Sequence, residues 1–274
     1  MIMEHFDLAF IALYVFWFFF AGLIYYIRRE DRREGFPLEA DKPGDFKYHG
    51  FLWIPEPKEF KLPHGGTRLA PDYKPDTREI AGRPFESWPG APIEPTGEHP
   101  MLDCIGPSAY AERADEPDLT PHGDPKIVPL RVAQDFSVHR YDSDPRGFKV
   151  MGSDRELAGR VVDLWVDRME ALARYIEVEV PDPAASTAIS SSASQAGSSS
   201  TVQPTRRVLF PMTLADVNGR RRRVDVTCVL AHQFQLAPAT RSSDQVTLLE
   251  EEKIQAFFAS GYLFSRQRNR EPFL

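Results

Sequence analysis

The feature that most constrains this chain is a stretch of 20 residues near its start without a charged side chain. From Leu8 to Ile27, only Gly22 falls outside the hydrophobic residue types. At the helical rise of about 1.5 Å per residue, this length matches the roughly 30 Å hydrocarbon core of a bilayer. We therefore predict one transmembrane helix over residues 8–27, preceded by a short N-terminus of residues 1–7.

The charges that flank this stretch predict a retained anchor and its orientation. Glu4 and Asp7 precede it, whereas a cleavable signal peptide has a basic start. Basic residues remain on the cytoplasmic side of a membrane, so we predict a periplasmic N-terminus and a cytoplasmic body. The basic residues that follow the stretch are also candidates for binding lipid headgroups: Arg28, Arg29, Arg32 and Arg33.

Residues 28–130 are rich in proline. Of the 24 prolines in the chain, 17 lie between Phe36 and Pro129. Each proline fixes its own φ and lacks a backbone donor, which disfavours helices and excludes a multi-span transporter. Large aromatic residues such as Trp53 and Trp88 are atypical of disordered linkers. We predict an extended cytoplasmic segment laid along its own surface or that of a partner.

Alternating apolar residues predict a β-domain within residues 131–274. In residues 157–167, Val162, Leu164 and Val166 share one face, which indicates a half-buried strand. Residues 175–180 repeat the pattern. We predict a mainly-β cytoplasmic domain, namely a small antiparallel barrel or sandwich of about five or six strands.

Further signals complete the predicted domain. Strands over 207–217 and 222–230 meet at Asn218-Gly219, a hairpin signal because both turn positions need φ > 0. Residues 182–205 are dominated by Ser, Ala and Thr and predict a flexible loop. Thr247-Leu-Leu-Glu250 fits a capping box, which predicts a short C-terminal helix over about 247–264.

Charge and motif content exclude several classes of function. The net charge is −7, so the chain lacks the basic footprint of a nucleic-acid-binding protein. No nucleophile elbow, phosphate-binding glycine loop, haem-attachment motif or HExxH occurs, so we predict no independent enzymatic activity.

Cys104 and Cys228 are either a disulfide or metal pair or, more simply, two small hydrophobic residues in a reducing compartment.

Six short motifs occur along the chain in a distinctive order. They are Ala21-Gly-Leu-Ile-Tyr-Tyr26, Arg33-Glu-Gly-Phe-Pro-Leu-Glu39, Leu62-Pro-His-Gly65, Gly106-Pro-Ser-Ala109, Ala158-Gly-Arg-Val-Val-Asp-Leu-Trp-Val-Asp167 and Val246-Thr-Leu-Leu-Glu-Glu-Glu-Lys-Ile254. With the single N-terminal span, they resemble the H subunit of the purple-bacterial photosynthetic reaction centre, whose cytoplasmic part is a PRC-type β-barrel. The resemblance covers almost the whole chain.

The resemblance implies a subunit without pigments of its own, in the photosynthetic intracytoplasmic part of a bacterial inner membrane. Such a subunit caps the L and M chains, shields the quinone region and supports proton transfer to the secondary quinone. The bacteriochlorophyll, bacteriopheophytin, quinones and non-haem iron of the complex belong to L and M. A cytochrome subunit and a light-harvesting antenna are further candidate partners.

Clustered carboxylates are the first candidates for chemistry. Carboxylates that lie close together disfavour each other's ionised forms, so some can hold or pass a proton near neutral pH. A solvated strand face would show the same pattern. The carboxylates on one face of the predicted strand pair are Asp163, Asp167, Glu177 and Glu179. The resemblance implies that Asp167 and Glu170 lie on the proton route and that Arg174 is a nearby basic position.

Histidines provide a second candidate site. His64 and the triplet His122-Gly-Asp124 carry groups that exchange protons near physiological pH. Two ligands at i and i+2 are too few for a metal site, and exposed surface histidine is the simpler interpretation. The family pattern has histidine at both ends of this triplet, so Asp124 departs from it. We expect proton uptake to survive there and zinc inhibition to weaken.

Two other classes of protein are compatible with the residues. One is a membrane-anchored PRC-barrel adaptor that binds a soluble protein, which predicts a stable soluble domain after deletion of residues 1–35. The other is a membrane-tethered hydrolase that uses the carboxylate cluster, which predicts turnover by the purified chain alone.

Overall fold

The computed structural model of the chain describes residues 8–36, 53–63, 65–72, 79–88, 90–182 and 205–266. Contacts divide the chain into two compact units. The first comprises Met1–Arg78 and Trp88–Gly90, and the second comprises Glu79–Ser87 and Ala91–Leu274. Apart from its end residues, the predicted flexible loop of residues 182–205 lies outside the described residues.

The first unit contains a long apolar helix. Helix α1 runs over Leu8–Glu30, and the 3-10 turn Asp31–Arg33 continues it. None of its described residues is buried, and the mean hydropathy of its most apolar stretch is 2.2. The helix is long and apolar enough to cross a membrane, which confirms the predicted apolar helix over residues 8–27. It extends past Ile27 because arginines in the last turn complement a helix C-terminus.

A short antiparallel hairpin completes the described part of the first unit. Its strands are β1 (Lys58–Lys61) and β2 (Thr67–Ala70). Phe60 lies opposite Arg68, and the Leu62 amide donates to the Gly66 carbonyl at 3.1 Å to close the turn. Three of the four residues in β2 and all four in β1 are exposed, so the hairpin has no buried face of its own.

The second unit begins with proline-rich chain that forms only short elements. Strands β3 (Gly82–Pro84) and β4 (Ile93–Pro95) make another hairpin, and 3-10 turns follow at Pro100–Leu102 and Gly106–Ser108. The predicted scarcity of helix is thus confirmed for the described residues from 53 to 130. Both 3-10 turns pack on the C-terminal helix. Apart from residues 88–90, contacts therefore group the chain from residue 79 onward with the β-domain. The proline content of the sequence instead predicts a domain boundary at residue 130.

A seven-stranded sheet forms the centre of the second unit. Its strands are β5 (Ile127–Pro129), β6 (Lys149–Met151), β7 (Leu157–Asp167), β8 (Leu172–Pro181), β9 (Thr205–Pro211), β10 (Ala215–Asn218) and β11 (Arg223–Val226). The strand order is β10-β11-β6-β7-β8-β9, and β5 also pairs with β7.

This sheet confirms the predicted mainly-β class and differs from the prediction in detail. It has more strands than the five or six expected, and β6 pairs with β11 in parallel. Strands β5 and β6 each contain three residues, which is too short to show a period of two in the sequence. The parallel pair depends on contacts between distant residues, which alternation does not encode.

From Asp163 to Asp167, strand β7 is buried on both faces, so the prediction of a half-buried strand is wrong for this part of it. Asp163, Trp165 and Asp167, which were expected to face outward, are at most 5% exposed. Strands β5 and β6 pair with one edge of β7 while β8 pairs with the other, and register shifts interrupt the alternation. Polar side chains on this strand therefore need partners inside the protein.

The β10–β11 hairpin forms where Asn218-Gly219 predicts it, but with different geometry. Asn218 pairs with Arg223, so the loop contains four residues rather than two. The residue with positive φ is Arg222, at 48°. The Asn218 side-chain oxygen accepts a hydrogen bond from the Arg221 amide at 3.0 Å. Asparagine favours turns both by tolerating positive φ and by accepting hydrogen bonds from nearby amides, and Asn218 closes this loop in the second way.

Helix α2 (Leu248–Phe264) confirms the predicted C-terminal helix and its cap. The Thr247 hydroxyl accepts a hydrogen bond from the Glu250 amide at 3.1 Å, and the Glu250 carboxylate accepts one from the Thr247 amide at 3.0 Å. On the buried face of α2, the ring of Phe258 lies 4.8 Å from that of Phe210 in β9 at 90°. These rings belong to the main hydrophobic core.

Gly261 allows α2 to approach the chain at Cys228. A Cβ atom at position 261 would lie 2.5 Å from the Cys228 carbonyl oxygen. We expect Gly261→Ala to lower the free energy of unfolding by about 1–3 kcal/mol, although alanine is the better helix former. Chemical denaturation of the full chain in detergent measures this change. The exposed Leu263→Ala is the control, with an expected change below about 0.5 kcal/mol; equal changes in both variants would contradict the close contact.

Candidate functional site

The carboxylate of Asp167 organises the end of β7. One of its oxygens accepts hydrogen bonds from the amides of Met169 at 2.9 Å and Glu170 at 3.0 Å. Ala171, with a φ of 53°, completes the turn into β8. A short acidic side chain that accepts the following amides stabilises such a turn. The local sequence therefore holds Asp167 in a position where it has no exposed surface.

Two basic side chains face Asp167. Its second oxygen lies 3.4 Å from Arg174 Nε and 3.5 Å from Lys126 Nζ. Arg174 also donates to Glu170 at 2.7 Å, and the Lys126 ammonium lies 4.0 Å from the same carboxylate. The Glu170 side chain is 47% exposed. The structure thus brings together the predicted residues Asp167, Glu170 and Arg174 and links a buried carboxylate to an exposed one through shared cations.

Lys126 reaches this cluster from a turn in residues 118–126. Leu119 pairs with Pro125 in an isolated antiparallel bridge, and the Lys126 amide donates to the Asp118 carbonyl at 2.8 Å. The Lys126 ammonium also lies 3.5 Å from the Asp118 carboxylate. Strand β5 follows directly and pairs with the end of β7, which places Lys126 next to Asp167.

His122 and Asp124 occupy the tip of this same turn. Both are exposed, and the Asp124 amide donates to the Thr120 hydroxyl at 3.3 Å. The turn contacts the Asp167 cluster through Lys126, so the two tip residues lie on its outer side. His64 falls outside the described residues. Within the described ranges, no three His, Cys, Asp or Glu side chains come together as a metal site.

Asp167 and Lys126 are held in their charged forms. Burial acts to raise the pKa of Asp167, but the amides of Glu170 and Met169 and the charge of Lys126 outweigh it, so the pKa lies below its usual value. Burial acts to lower the pKa of Lys126, but the charges of Asp167 and Asp118 raise it. This pair therefore supplies fixed charges at neutral pH.

Glu251 of α2 differs from Asp167, because its pKa is raised and not lowered. It accepts a hydrogen bond from the Tyr175 hydroxyl at 2.8 Å, and Gln255 donates to the same hydroxyl at 3.0 Å. Burial raises the pKa of Glu251, although Tyr175, Arg113 and Arg174 act against it. Burial also raises the pKa of Tyr175, which keeps its hydroxyl protonated as a donor. Glu251 is therefore better suited than Asp167 to bind a proton.

The remaining predicted carboxylates belong to a separate cluster around Arg131. The Arg131 guanidinium donates to Asp163 at 3.2 Å and also to Glu177. Glu177 accepts further hydrogen bonds from Trp165 Nε1 at 3.0 Å and from Arg207 at 3.1 Å. Such pairing is what allows charged groups to stay ionised in a protein interior.

This arrangement corrects two expectations about the strand face. The face is not solvated, because Asp163, Asp167 and Glu177 are all buried. Its carboxylates also do not form one group: Asp163 and Glu177 share Arg131, whereas Asp167 pairs with other cations at the far end of β7. Glu179 is half-buried and accepts a hydrogen bond from Thr205 at 3.1 Å.

The arginines that follow the apolar stretch differ in their surroundings. The side chains of Arg28 and Arg29 are 70% and 44% exposed. Arg32 lies over the Phe36 ring, with its guanidinium carbon 5.3 Å from the ring centroid. Arg33 is only 12% exposed and makes hydrogen bonds within the first unit. Arg28 and Arg29 are therefore the more accessible candidates for lipid headgroups.

Two family models match this chain. Residues 138–228 match the PRC-barrel domain, which is the class of domain that the central sheet represents. Residues 1–132 match the N-terminal region of the photosynthetic reaction centre H-chain. The chain therefore belongs to the H-chain family of the photosynthetic reaction centre. The H chains of this family are non-catalytic subunits of the reaction centre complex, and helix α1 fits a membrane-anchored member of that complex.

Sequence reasoning missed Lys126 and Glu251 as members of the site. Acidic residues are common in the first turn of a helix, so the run Glu250-Glu-Glu252 does not by itself single out Glu251. A signal for Glu251 was nevertheless present, because Ile254 and Phe258 follow it by three and seven residues and are buried. No comparable local signal connects Lys126 with Asp167, since that contact depends on the pairing of β5 with β7.

Proposed function

We propose that this chain caps the L and M subunits of the reaction centre, shields their quinone region and supports proton transfer to the secondary quinone. The observation that carries the proposal is the set of linked ionisable groups from buried Asp167 through Arg174 to half-exposed Glu170. Reduction of a quinone to a quinol consumes two protons. A cofactor without access to bulk water takes them from titratable groups within hydrogen-bond reach.

The linked groups have different roles in this proposal. Asp167 is ionised and fixed by two amides, so it positions Arg174 rather than carrying the proton itself. Arg174 in turn holds the carboxylate of Glu170, which has access to the surface and exchanges the proton. Burial raises the pKa of Glu251, which accepts a hydrogen bond from Tyr175, the residue after Arg174, so Glu251 is a second carboxyl that supports proton uptake beside this route.

The cytoplasmic mouth of the route is assigned to the turn of residues 118–126. The imidazole of His122 and the carboxylate of Asp124 are both exposed at the tip of this turn, so both are accessible to protons from water. Lys126 connects this turn to the Asp167 cluster. The family resemblance also gives His64 a role in proton uptake, and this residue lies outside the described part of the chain.

Orientation and partners complete the proposal. Exposed Arg28 and Arg29 at the end of α1 favour a cytoplasmic body and a periplasmic N-terminus in the photosynthetic inner membrane. The pigments, quinones and non-haem iron belong to the L and M partners, and this chain contributes no catalytic site of its own. A cytochrome subunit and a light-harvesting antenna are additional proposed neighbours.

Glu170→Gln tests the proton route. Glutamine keeps the shape and a hydrogen-bond acceptor for Arg174 but lacks the exchangeable acid proton. We expect the proton-coupled second electron transfer to slow by about tenfold or more, while the first charge separation, which needs no proton, stays unchanged. Flash spectroscopy of complete reaction centres from about pH 6 to 9 measures both steps. The slowing should be greater above neutral pH, where proton donors are scarce.

Glu179→Gln is the matched control, because this half-buried glutamate lies on β8 and bonds to Thr205. We expect its second electron transfer to match the unmodified complex. Unaltered kinetics in a Glu170→Gln and Asp167→Asn double variant would remove both residues from the mechanism. The capping role is tested by the absorption spectrum of the gently solubilised native complex, since absence of bacteriochlorophyll and bacteriopheophytin bands would contradict it.

A further inference from the structure

We infer that the β1–β2 hairpin lies on the headgroup layer of an anionic membrane beside the end of α1, and that Arg33 holds it there. The inference depends on α1 spanning a membrane and is independent of the proton route.

Arg33 joins the helix end to the hairpin. Its guanidinium donates to both carboxylate oxygens of Glu30, at 2.8 and 3.0 Å. On its other side it donates to the carbonyls of Glu56 at 2.7 Å and Ala70 at 3.0 Å. Glu56 precedes β1 and Ala70 ends β2, so one side chain connects both strands to the last turn of the helix. The planar guanidinium fork suits this arrangement because it offers several donors in fixed directions.

The position of Arg33 sets the height of the hairpin above the membrane core. Arg33 lies six positions after Ile27, the last residue of the uncharged stretch. Residues 28–30 complete α1 and residues 31–33 form the 3-10 turn, which corresponds to about 10 Å along the axis. The polar layer on each side of a bilayer is about 5–8 Å thick. A hairpin bound to Arg33 therefore lies at the outer edge of the headgroup layer, where its side chains reach the lipid headgroups.

The side chains of the hairpin fit such a surface. Phe60 and Leu62 are 41% and 47% exposed although they are apolar. The strand register places them on the same face as Lys58 and Arg68. Leu69, Lys61 and the one acidic residue of the two strands, Glu59, lie on the opposite face. The first face is therefore the one that contacts the lipid. Apolar groups combined with basic charge are the pattern of segments that bind anionic lipid interfaces.

A cavity of about 1010 Å³ lies between the end of α1 and the hairpin. Two arginines line it, but so do four carboxylates, those of Glu30, Asp31, Glu34 and Asp72. The cavity therefore has no excess of basic charge and is not assigned to a lipid phosphate. The attraction to anionic lipid is assigned to the strand face that carries Lys58 and Arg68.

A fluorophore on the hairpin tests the contact in the full chain. We propose Leu62→Cys, labelled with an environment-sensitive dye after Cys104→Ser, in nanodiscs of phosphatidylcholine and phosphatidylglycerol. Cys228 is buried and burial raises its pKa to about 12, so its thiol remains unlabelled. We expect strong quenching by nitroxide-headgroup lipids and weak quenching by iodide. The control Leu157→Cys, exposed in the second unit, should show the reverse.

Charge and attachment are tested separately. Lys58→Gln with Arg68→Gln should reduce quenching by headgroup nitroxides in anionic discs, since each lost charge weakens the attraction about fivefold. The matched control, Arg220→Gln with Arg221→Gln in the second unit, should leave it unchanged. Arg33→Lys keeps the charge but loses the four-way fork, and we expect it to release the label into water while α1 stays inserted.

Two outcomes overturn the inference. If iodide reaches the label at position 62 in anionic discs as readily as at position 157, the hairpin does not lie on the lipid. If the label is protected only in complete reaction centres, and not in discs, the surface binds a partner protein instead. Unchanged quenching in Arg33→Lys would show that Arg33 does not hold the hairpin in place.

Discussion

Replacing Glu177 with alanine is expected to lower the free energy of unfolding by about 3–5 kcal/mol. The Glu177 side chain is 3% exposed and accepts hydrogen bonds from Arg131, Arg207 and the Trp165 indole. Its removal leaves the indole N–H without this acceptor inside the sheet and leaves Arg131 with less compensating charge, both of which cost free energy. Chemical denaturation, followed by circular dichroism, measures the loss.

Two further substitutions separate the causes of this loss. Glu177→Gln keeps an acceptor for the indole but removes the charge, so we expect an intermediate loss of about 1–3 kcal/mol. Glu179→Ala on the same strand is the control, since that half-buried glutamate accepts a hydrogen bond from Thr205, and we expect less than about 1 kcal/mol. Equal losses in Glu177→Ala and Glu179→Ala would show that the Arg131 cluster does not stabilise the sheet.

Asp167→Ala is expected to have a comparable effect at neutral pH, about 3–5 kcal/mol, because it leaves two amides and two cations without their shared carboxylate. The effect depends on pH. Since the folded state lowers the pKa of Asp167, its contribution is complete above the ordinary aspartate pKa and is lost as the pH falls through the lowered value. Denaturation curves at several pH values test this.

Asp167→Asn serves as the matched variant. Its amide oxygen still accepts from Met169 and Glu170, so only the attraction to Lys126 and Arg174 is lost, and we expect about 1–3 kcal/mol. The difference between the unmodified protein and either variant should shrink in acid. A difference that grows as the pH falls would mean that the folded state raises, rather than lowers, the pKa of Asp167.

The candidate site was predictable to the extent that it is local. Asp167, Glu170 and Arg174 lie within one turn and the start of the next strand, so their proximity follows from the hairpin that alternation predicts. The resemblance added which of these residues to single out. Lys126 reaches Asp167 from a distant turn, and Glu251 of α2 contacts Tyr175 of β8. Local periodicity indicates that Glu251 lies next to the buried face of α2, but no pattern within a few residues reveals either of these contacts.

The sequence by itself determined the apolar helix, the capped C-terminal helix, the strand over residues 175–180 and the family. These features depend on residues within a few positions of each other, where helix and strand periodicity, capping and motif order act. Only the tertiary structure decided that the second half of β7 is buried on both faces, that β6 pairs in parallel with β11, and that the carboxylates divide between two clusters. Burial and ion pairing depend on which distant strands cover a surface, and that is settled when the sheet assembles.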